Sequence, residues 1–256
     1  MNPGIITIAR YTLLEALRTR LPVLVLLALL ALLAASFFVD AIAVTEGARL
    51  QTGFYAAGTR LACVFIVGLY VLVSMTREFN DKGLDLVLAL DMPRSHYVLG
   101  KLGGFLAIAA LVAVAASLPL AWLAAPQAVV QWALSLAFEL AIVVALALFC
   151  VVTFGQMTPA AAFVLAFYLL ARSLTAIRLM SAHPLTDTGM LSHQVIDFLV
   201  EALALVTPAL DGWTQTAWLV NHEAAWGELA LLTGQSALYV TLLAAATVFD
   251  FYRKNL

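Results

Sequence analysis

The chain reads as an all-α integral membrane protein with six transmembrane helices, an N-terminal amphipathic interfacial helix and a short inner-face helix. Three observations point there. Hydrophobic residues make up 64% of the 256 residues and charged residues only 11%, with a mean hydropathy of +1.02. A soluble domain carries roughly 25% charge and about half apolar residues, so the excess apolar surface here must face lipid. The apolar residues gather into runs able to cross a bilayer, which takes about 20 residues at helical rise. The basic residues collect on one side of those runs, as the cytoplasmic side of a membrane protein requires.

Taken in order, residues 5–20 form the first element. Ile5, Ile8, Leu13 and Leu17 recur at helical spacing while Arg10, Arg18 and Arg20 supply a basic rim. That pattern suits a helix lying in the membrane interface. A cleaved signal peptide is disfavoured, because the apolar run from Leu21 to Val39 is too long for its apolar region, although Ala41-Ile42-Ala43 imitates a processing site. Spans are expected near 21–39, 59–75, 102–123, 132–154, 160–180 and 228–251, the second extending backward through Thr59 and Arg60. Residues 76–101 form an inner loop, and 181–227 form an outer-side region. There Val195, Phe198, Leu199, Ala202 and Leu203 suggest a helix along the membrane surface. Gly100-x-x-x-Gly104 opens the third span, and small residues at that spacing let helices approach closely. Packing within the bundle is expected in preference to a seam between two copies.

Orientation follows from charge. With the N-terminus inside, the cytoplasmic segments hold Arg10, Arg18, Arg20, Arg77, Lys82, Arg94, Lys101, Arg253 and Lys254, nine of the 13 Lys and Arg. Arg49 and Arg60 fall in outer segments, and Arg172 and Arg178 belong to span five. Trp122, Trp132, Trp213, Trp218 and Trp226 then map to the outer interface or outer loops. Both termini are therefore expected in the cytoplasm.

Several chemistries lack their residues. Cys63 and Cys150 sit in apolar runs and read as small packing residues. No CxxC, HExxH or GxxxxGK[ST] occurs. The chain is expected to bind no cofactor and no metal, to have no nucleic-acid partner and not to be an enzyme. His183, His193 and His222 with Met180 and Met190 read as ordinary outer-loop residues in preference to copper ligands.

Two segments could carry function. The inner loop runs Thr76-Arg77-Glu78-Phe79-Asn80-Asp81-Lys82-Gly83-Leu84-Asp85-Leu86-Val87-Leu88-Ala89-Leu90-Asp91-Met92-Pro93-Arg94. Leu84, Val87, Leu88 and Leu90 give a short helix an apolar face, and Pro93 ends it. Such a helix either docks into a groove on a cytoplasmic partner or simply stabilises a turn at the interface. Physical reasoning leaves both open. The second segment is a pair of charges inside the spans, each costly unless partnered. Glu139 lies about 10 Å inward from Trp132 and Arg172 about 12 Å inward from Met180, at helical rise. The two are expected to face one another. A salt bridge that fixes packing is the favoured role, and a polar element of a substrate or proton path is the alternative.

The loop pattern Arg-Glu-Phe-x-x-x-Gly-Leu-Asp-Leu-x-Leu-Ala-Leu-x-x-Pro-Arg, followed by Gly100-Lys101, resembles the first cytoplasmic loop of type-two ABC exporter permeases. Ile8-Ala9-Arg10-x-Thr12-Leu13-x-Glu15-Ala16-Leu17-Arg18 resembles the family's connecting helix. Leu205-Val206-Thr207-Pro208-Ala209-Leu210-Asp211 is similar to its outer-side Leu-x-Pro-x-Leu-Asp pattern. Phe251-Tyr252-Arg253-Lys254-Asn255-Leu256 is similar to its basic C-terminal stop. The branch most resembled is that of multicopper-enzyme maturation, including permeases of the nitrous oxide reductase assembly type. Leu84 and Asp91 depart from the commoner Thr and Ser, which leaves the particular ATPase open.

The resemblance implies a bacterial inner-membrane permease working as a pair, most simply a homodimer, with a separate cytoplasmic ABC ATPase subunit that binds ATP and Mg. It also implies a periplasmic partner and an inner-face coupling helix, with Glu78, Asp81, Leu84, Leu88, Pro93 and Arg94 as the ATPase-coupling residues. Gly155-Gln156-Met157-Thr158-Pro159 would form a lesser contact. A non-transporting scaffold for outer-side assembly factors and an ion-coupled secondary transporter are the alternatives, although no repeat joins the two halves as such transporters tend to show.

Overall fold

The computed structural model describes residues 3–81, 93–182, 201–203, 207–208, 210–213, 218–219 and 226–254. Among the described residues the regular structure is helical, without strands. The helices are α1 (Pro3–Arg18), α2 (Leu21–Ile42), α3 (Gly47–Asn80), α4 (Arg94–Ser117), α5 (Leu120–Leu123), α6 (Pro126–Phe154), α7 (Met157–Ala182) and α8 (Trp226–Arg253), with a 3-10 turn at Leu210–Trp213 before α8. Six stretches are long and apolar enough to cross a membrane: Leu21–Ile42, Gly47–Asn80, Arg94–Leu123, Pro126–Phe154, Met157–Leu174 and Leu229–Arg253. In lipid every backbone N–H and C=O needs an internal partner, and a continuous helix supplies one residue by residue. Pro22 and Pro126 stand in the first turns of α2 and α6, where a missing N–H costs nothing.

Contacts between helices give their directions. Gly47 and Gly58 of α3 lie against Asp40 and Leu32 of α2, so these two run antiparallel. Tyr55 with Ala116 and Tyr70 with Phe105 make α3 and α4 antiparallel. Arg60 with Glu139 and Gly68 with Val143 make α3 and α6 parallel. Glu139 with Tyr168 and Phe154 with Phe163 turn α7 back along α6. Ser236 with Phe138 and Thr153 with Asp250 lay α8 parallel to α6. The spans therefore alternate, and the start of α2 and the end of α8 share one end of the bundle.

Centre and rim differ sharply. In the most apolar stretch of α6, 72% of residues are buried, against 17% in α2 and 11% in α8. The helix α6 is the axle, touching α3, α4, α7 and α8. At the rim Leu24, Leu27, Leu30 and Phe37 of α2, and Leu231, Leu238, Leu242 and Phe249 of α8, are exposed. A surface of that kind calls for lipid or another apolar surface.

The glycine motif has a specific partner. Gly100 and Gly104 of α4 receive α1, not another span. A Cβ on Gly100 would stand 2.7 Å from Ile8 Cβ, and one on Gly104 would stand 2.6 Å from Thr12 Cβ and 2.8 Å from the Ala9 carbonyl oxygen. Thr12 and Ala16 are buried in this seam, while Ile6, Tyr11 and Leu17 remain exposed on the far side. Replacing Gly104 by Val is expected to lower stability in detergent by about 1–3 kcal/mol, the scale of overpacking. Gly103→Ala is the control, because its added Cβ would meet Ala9 Cβ at an ordinary 3.7 Å. Equal melting temperatures for the two variants would contradict this seam.

Candidate functional site

The spans bury a charged cluster at mid-height. Arg60 lies thirteen residues into α3 and Glu139 thirteen residues into α6. Since the two helices run parallel, that equal offset, about 20 Å at helical rise, brings the side chains level. Arg60 Nη1 meets Glu139 Oε2 at 2.7 Å. Arg60 Nη2 donates to Ser135 Oγ at 2.7 Å, and Ser135 Oγ donates to the Trp132 carbonyl at 2.8 Å. The guanidinium carbon of Arg60 also stands 5.2 Å from the Trp132 ring centroid. On the other side Tyr168 Oη donates to Glu139 Oε1 at 3.0 Å. Arg172 Nη1 reaches the Tyr168 hydroxyl at 2.9 Å and Glu139 Oε1 at 3.7 Å.

Glu139 thus carries an arginine on each oxygen, with a tyrosine wedged on the second. Its side chain and that of Arg60 have 0% and 2% exposure, whereas Arg172 keeps 28%. Glu139 and Arg172 are brought together, as expected from their depths. The closer and better buried partner is Arg60. Its assignment to an outer segment is corrected here, whereas the backward extension of the second span through Thr59 and Arg60 agrees with α3, which begins at Gly47 and carries Arg60 inside the bundle. A hydropathy reading places a span where charges stop, so a charge satisfied across the bundle looks like a boundary. The equal spacing of Arg60 and Glu139 from Gly47 and Pro126 was the available signal, but it becomes legible only once both helix starts and their parallel course are known.

A second cluster ties together the two flanks of residues 82–92. Residues 82–92, including Leu84 and Leu88, lie outside the described residues. Their flanks are tied to neighbouring helices. Glu78, in the last turn of α3, pairs with buried Lys101 of α4 at 2.5 Å. Asp81 follows as the C-cap of α3 and makes an exposed 3.3 Å pair with Arg77. Pro93 is the N-cap of α4, with an extended backbone (φ −58°, ψ 135°). Arg94 Nη1 donates to the carbonyls of Phe251 and Lys254, at 3.3 and 3.1 Å, at the end of α8.

The end of α8 locks into this cluster. Phe251 is fully buried, stacked on Tyr97 at 5.7 Å and met edge-on by Phe79 at 6.5 Å. Lys254 Nζ donates to the Val152 carbonyl at 2.5 Å, one of the carbonyls that the last turn of α6 leaves without a helical partner. Burial pushes the Lys254 ammonium below its ordinary value, and Asp250 pulls it partly back. Thr153 Oγ1 and Asp250 Oδ2 close the seam at 2.6 Å. Gly155, at φ +68°, turns the chain directly into α7; Gly tolerates that left-handed conformation without a Cβ clash. The connection between α6 and α7 therefore reduces to Gly155 and Gln156, and Met157–Pro159 already belong to α7.

Elsewhere, among the described residues, no group of three His, Cys, Asp or Glu could hold a metal ion. His183, His193, His222 and Met190 lie outside those residues. A comparison with protein-family models finds no match, and none of the curated proteins matches either. Fold and composition nevertheless define the class. The chain is an all-α, multi-pass membrane protein whose core is organised around a buried ion-pair cluster.

That geometry ranks its members. Removing one partner of a buried pair costs about 3–5 kcal/mol, because the other charge stays buried alone. Arg60→Ala is expected to destabilise on that scale, and Arg172→Ala by clearly less, since Arg172 is partly exposed and 3.7 Å away. Unfolding in mixed micelles checks the order. Should Glu139→Ala and Arg172→Ala each abolish activity while leaving folding and expression intact, the cluster is a working polar path instead of a structural tie.

Proposed function

We propose that the chain is the membrane-spanning permease subunit of an ABC exporter, powered by a separate cytoplasmic ATPase. The sequence resemblance supplies the family and the energy source. One structural observation supports the mechanics: both ends of the 82–92 segment are clamped to the bundle, Glu78 to Lys101 on one side and Arg94 to the end of α8 on the other. A coupling element transmits force only if its base does not yield. Here the base joins α3, α4, α6 and α8 through Glu78, Lys101, Tyr97, Phe251 and Lys254.

In this reading Asp81, Leu84 and Leu88 meet the ATPase, while Glu78, Pro93 and Arg94 hold the lever at its roots. ATP binding would close two ATPase subunits and push two such levers. Packed helices answer with a switch between discrete arrangements, because a close-packed interior does not deform continuously. The chain itself performs no hydrolysis, ATP and Mg residing on the partner. It sits in a bacterial inner membrane with both termini cytoplasmic, paired with a second permease chain, and serves the assembly of a periplasmic metalloenzyme.

The test is a complex purified with its ATPase and reconstituted in lipid. Glu78→Lys is expected to lower permease-dependent ATP hydrolysis by about tenfold, equivalent to about 1.4 kcal/mol. Restoring opposite charges with Glu78→Lys and Lys101→Glu together should recover most of it. A chain that associates with no ATP-hydrolysing subunit, or an activity driven by a proton gradient in the absence of ATP, would overturn the proposal.

A further inference from the structure

A groove with a cavity volume of about 280 Å³ runs between α3 and α7, directly beside the ion-pair cluster. Val64, Gly68 and Leu72 of α3 and Ala161, Leu165 and Tyr168 of α7 line it, and Tyr168 alone of its lining residues has a polar side chain. On both walls it begins one helical turn from the cluster, since Val64 follows Arg60 by four residues and Tyr168 precedes Arg172 by four. Phe65 meets Tyr168 edge-on at 6.4 Å and sets the two walls side by side there. From that point the groove follows α3 from Val64 to Leu72, about 12 Å at helical rise, toward the end of the bundle shared by the start of α2 and the finish of α8. Val64, Leu72 and Tyr168 are buried, whereas Phe65, Leu69 and Leu165 are exposed along the rim. The groove therefore opens on the outside of the bundle.

At the cluster end, hydrogen-bond donors are left over. Arg172 works through Nη1 alone, on the Tyr168 hydroxyl at 2.9 Å and on Glu139 Oε1 at 3.7 Å. Its Nε and Nη2 have no partner among the described residues. These two N–H groups lie side by side and match the two oxygens of one carboxylate. The Arg172 side chain keeps 28% exposure, so a ligand from outside the bundle can reach it. Arg60 differs: it is enclosed, and both its Nη atoms are spent on Glu139 and Ser135. Among the described residues the cluster holds two guanidiniums, one carboxylate and the neutral hydroxyls of Tyr168 and Ser135. Both Glu139 oxygens are already engaged, so the free edge of Arg172 calls for another acceptor. A partly exposed cation at this depth is costly without one.

We propose that this groove binds an amphipathic monocarboxylate, its head on Arg172 and a medium-length alkyl tail along the α3 and α7 walls. The carboxylate oxygens accept from Nε and Nη2 of Arg172, and the tail lies against Val64, Gly68 and Leu165. An apolar cleft with a few polar groups placed at one end is the usual form of a small-molecule site. Depth argues for a tail as well as a charge. A small anion would lose its hydration on reaching mid-height, and burial of an alkyl chain against apolar walls offsets part of that cost. As a binding site the groove stands apart from the permease reading; the ligand's being cargo of an exporter rests on it.

The full chain, reconstituted in phosphatidylcholine nanodiscs without any ATPase, is titrated with octanoate by calorimetry, with empty nanodiscs as the reference. Octanoate should bind saturably, and octanol, acetate and octyltrimethylammonium at least about tenfold more weakly. Arg172→Gln should weaken octanoate by about tenfold, the scale of a lost charge-assisted pair. Ala162→Trp, at an exposed position of the groove wall, fills the groove and keeps the whole cluster. It should weaken octanoate as much, and it serves if the Arg172 variant fails to fold. Arg18→Gln, exposed and outside the groove, should change nothing. Octanol binding as tightly as octanoate would reduce the effect to apolar partitioning, and acetate binding as tightly would leave the tail without a role. Either result overturns the assignment, as does undiminished binding by Arg172→Gln or by Ala162→Trp. Saturable octanoate binding by a chain that recruits no ATPase would sink the permease reading and leave this site standing.

Discussion

Glu139 sits near the middle of an apolar helix with no surface of its own, and the bundle is arranged so that it never lacks a partner. A carboxylate in that position is tolerable only when charges and donors surround it. Arg60 reaches it from α3, Tyr168 and Arg172 from α7, and Ser135 holds the arginine from one turn away. These contacts fix the relative height of three helices at one point. A slip of α3 by one turn would move Arg60 by about 5.4 Å and leave its buried charge without the Glu139 carboxylate. The surrounding apolar contacts have no such selectivity, because Leu and Val pack about equally well at neighbouring registers. Depth is therefore set by charge, and closeness by shape.

Small residues do the complementary task near the end of the bundle where α1 lies. Gly100 and Gly104 let the backbone of α1 come nearly into contact with α4, and that approach holds the first helix against the bundle. The same end gathers the start of α4, the last turns of α3 and α6 and the finish of α8. Lys101, Arg94 and Lys254 each spend their charge on a carboxylate or on carbonyls belonging to another helix. The result is a plate of interlocked helix ends bearing the 82–92 segment. In the proposed permease this plate is what an ATPase would push. The mid-height ion-pair cluster would carry the push toward the far side through α3 and α6.

Apolar surface is distributed to match. The walls presented by α2 and α8 are rich in exposed Leu and Phe, while α6 is enclosed on most sides. In water that exterior would collapse or aggregate. In a bilayer it is the correct exterior.

The class of protein was legible in the residue order alone. Runs of Leu, Ala and Val long enough to span a bilayer follow from local composition, and their number needs no knowledge of what packs where. The expected pairing of Glu139 with Arg172 was also within reach, because their depths could be counted from flanking aromatic and Met residues. Arg60 was not. A charged residue at the edge of an apolar run reads as solvent-exposed, and only the contact between α3 and α6 shows it to be the main counterion of Glu139. The partner of the Gly100 and Gly104 motif was likewise decided in three dimensions, since small residues announce a close approach without saying to what. The joining of Arg94 and Lys254 across more than half the chain is of the same kind. Periodicity and hydropathy are local properties and survive in the linear text. The pairing of buried charges and the meeting of helix ends depend on distances between segments remote in sequence, which only the folded bundle specifies.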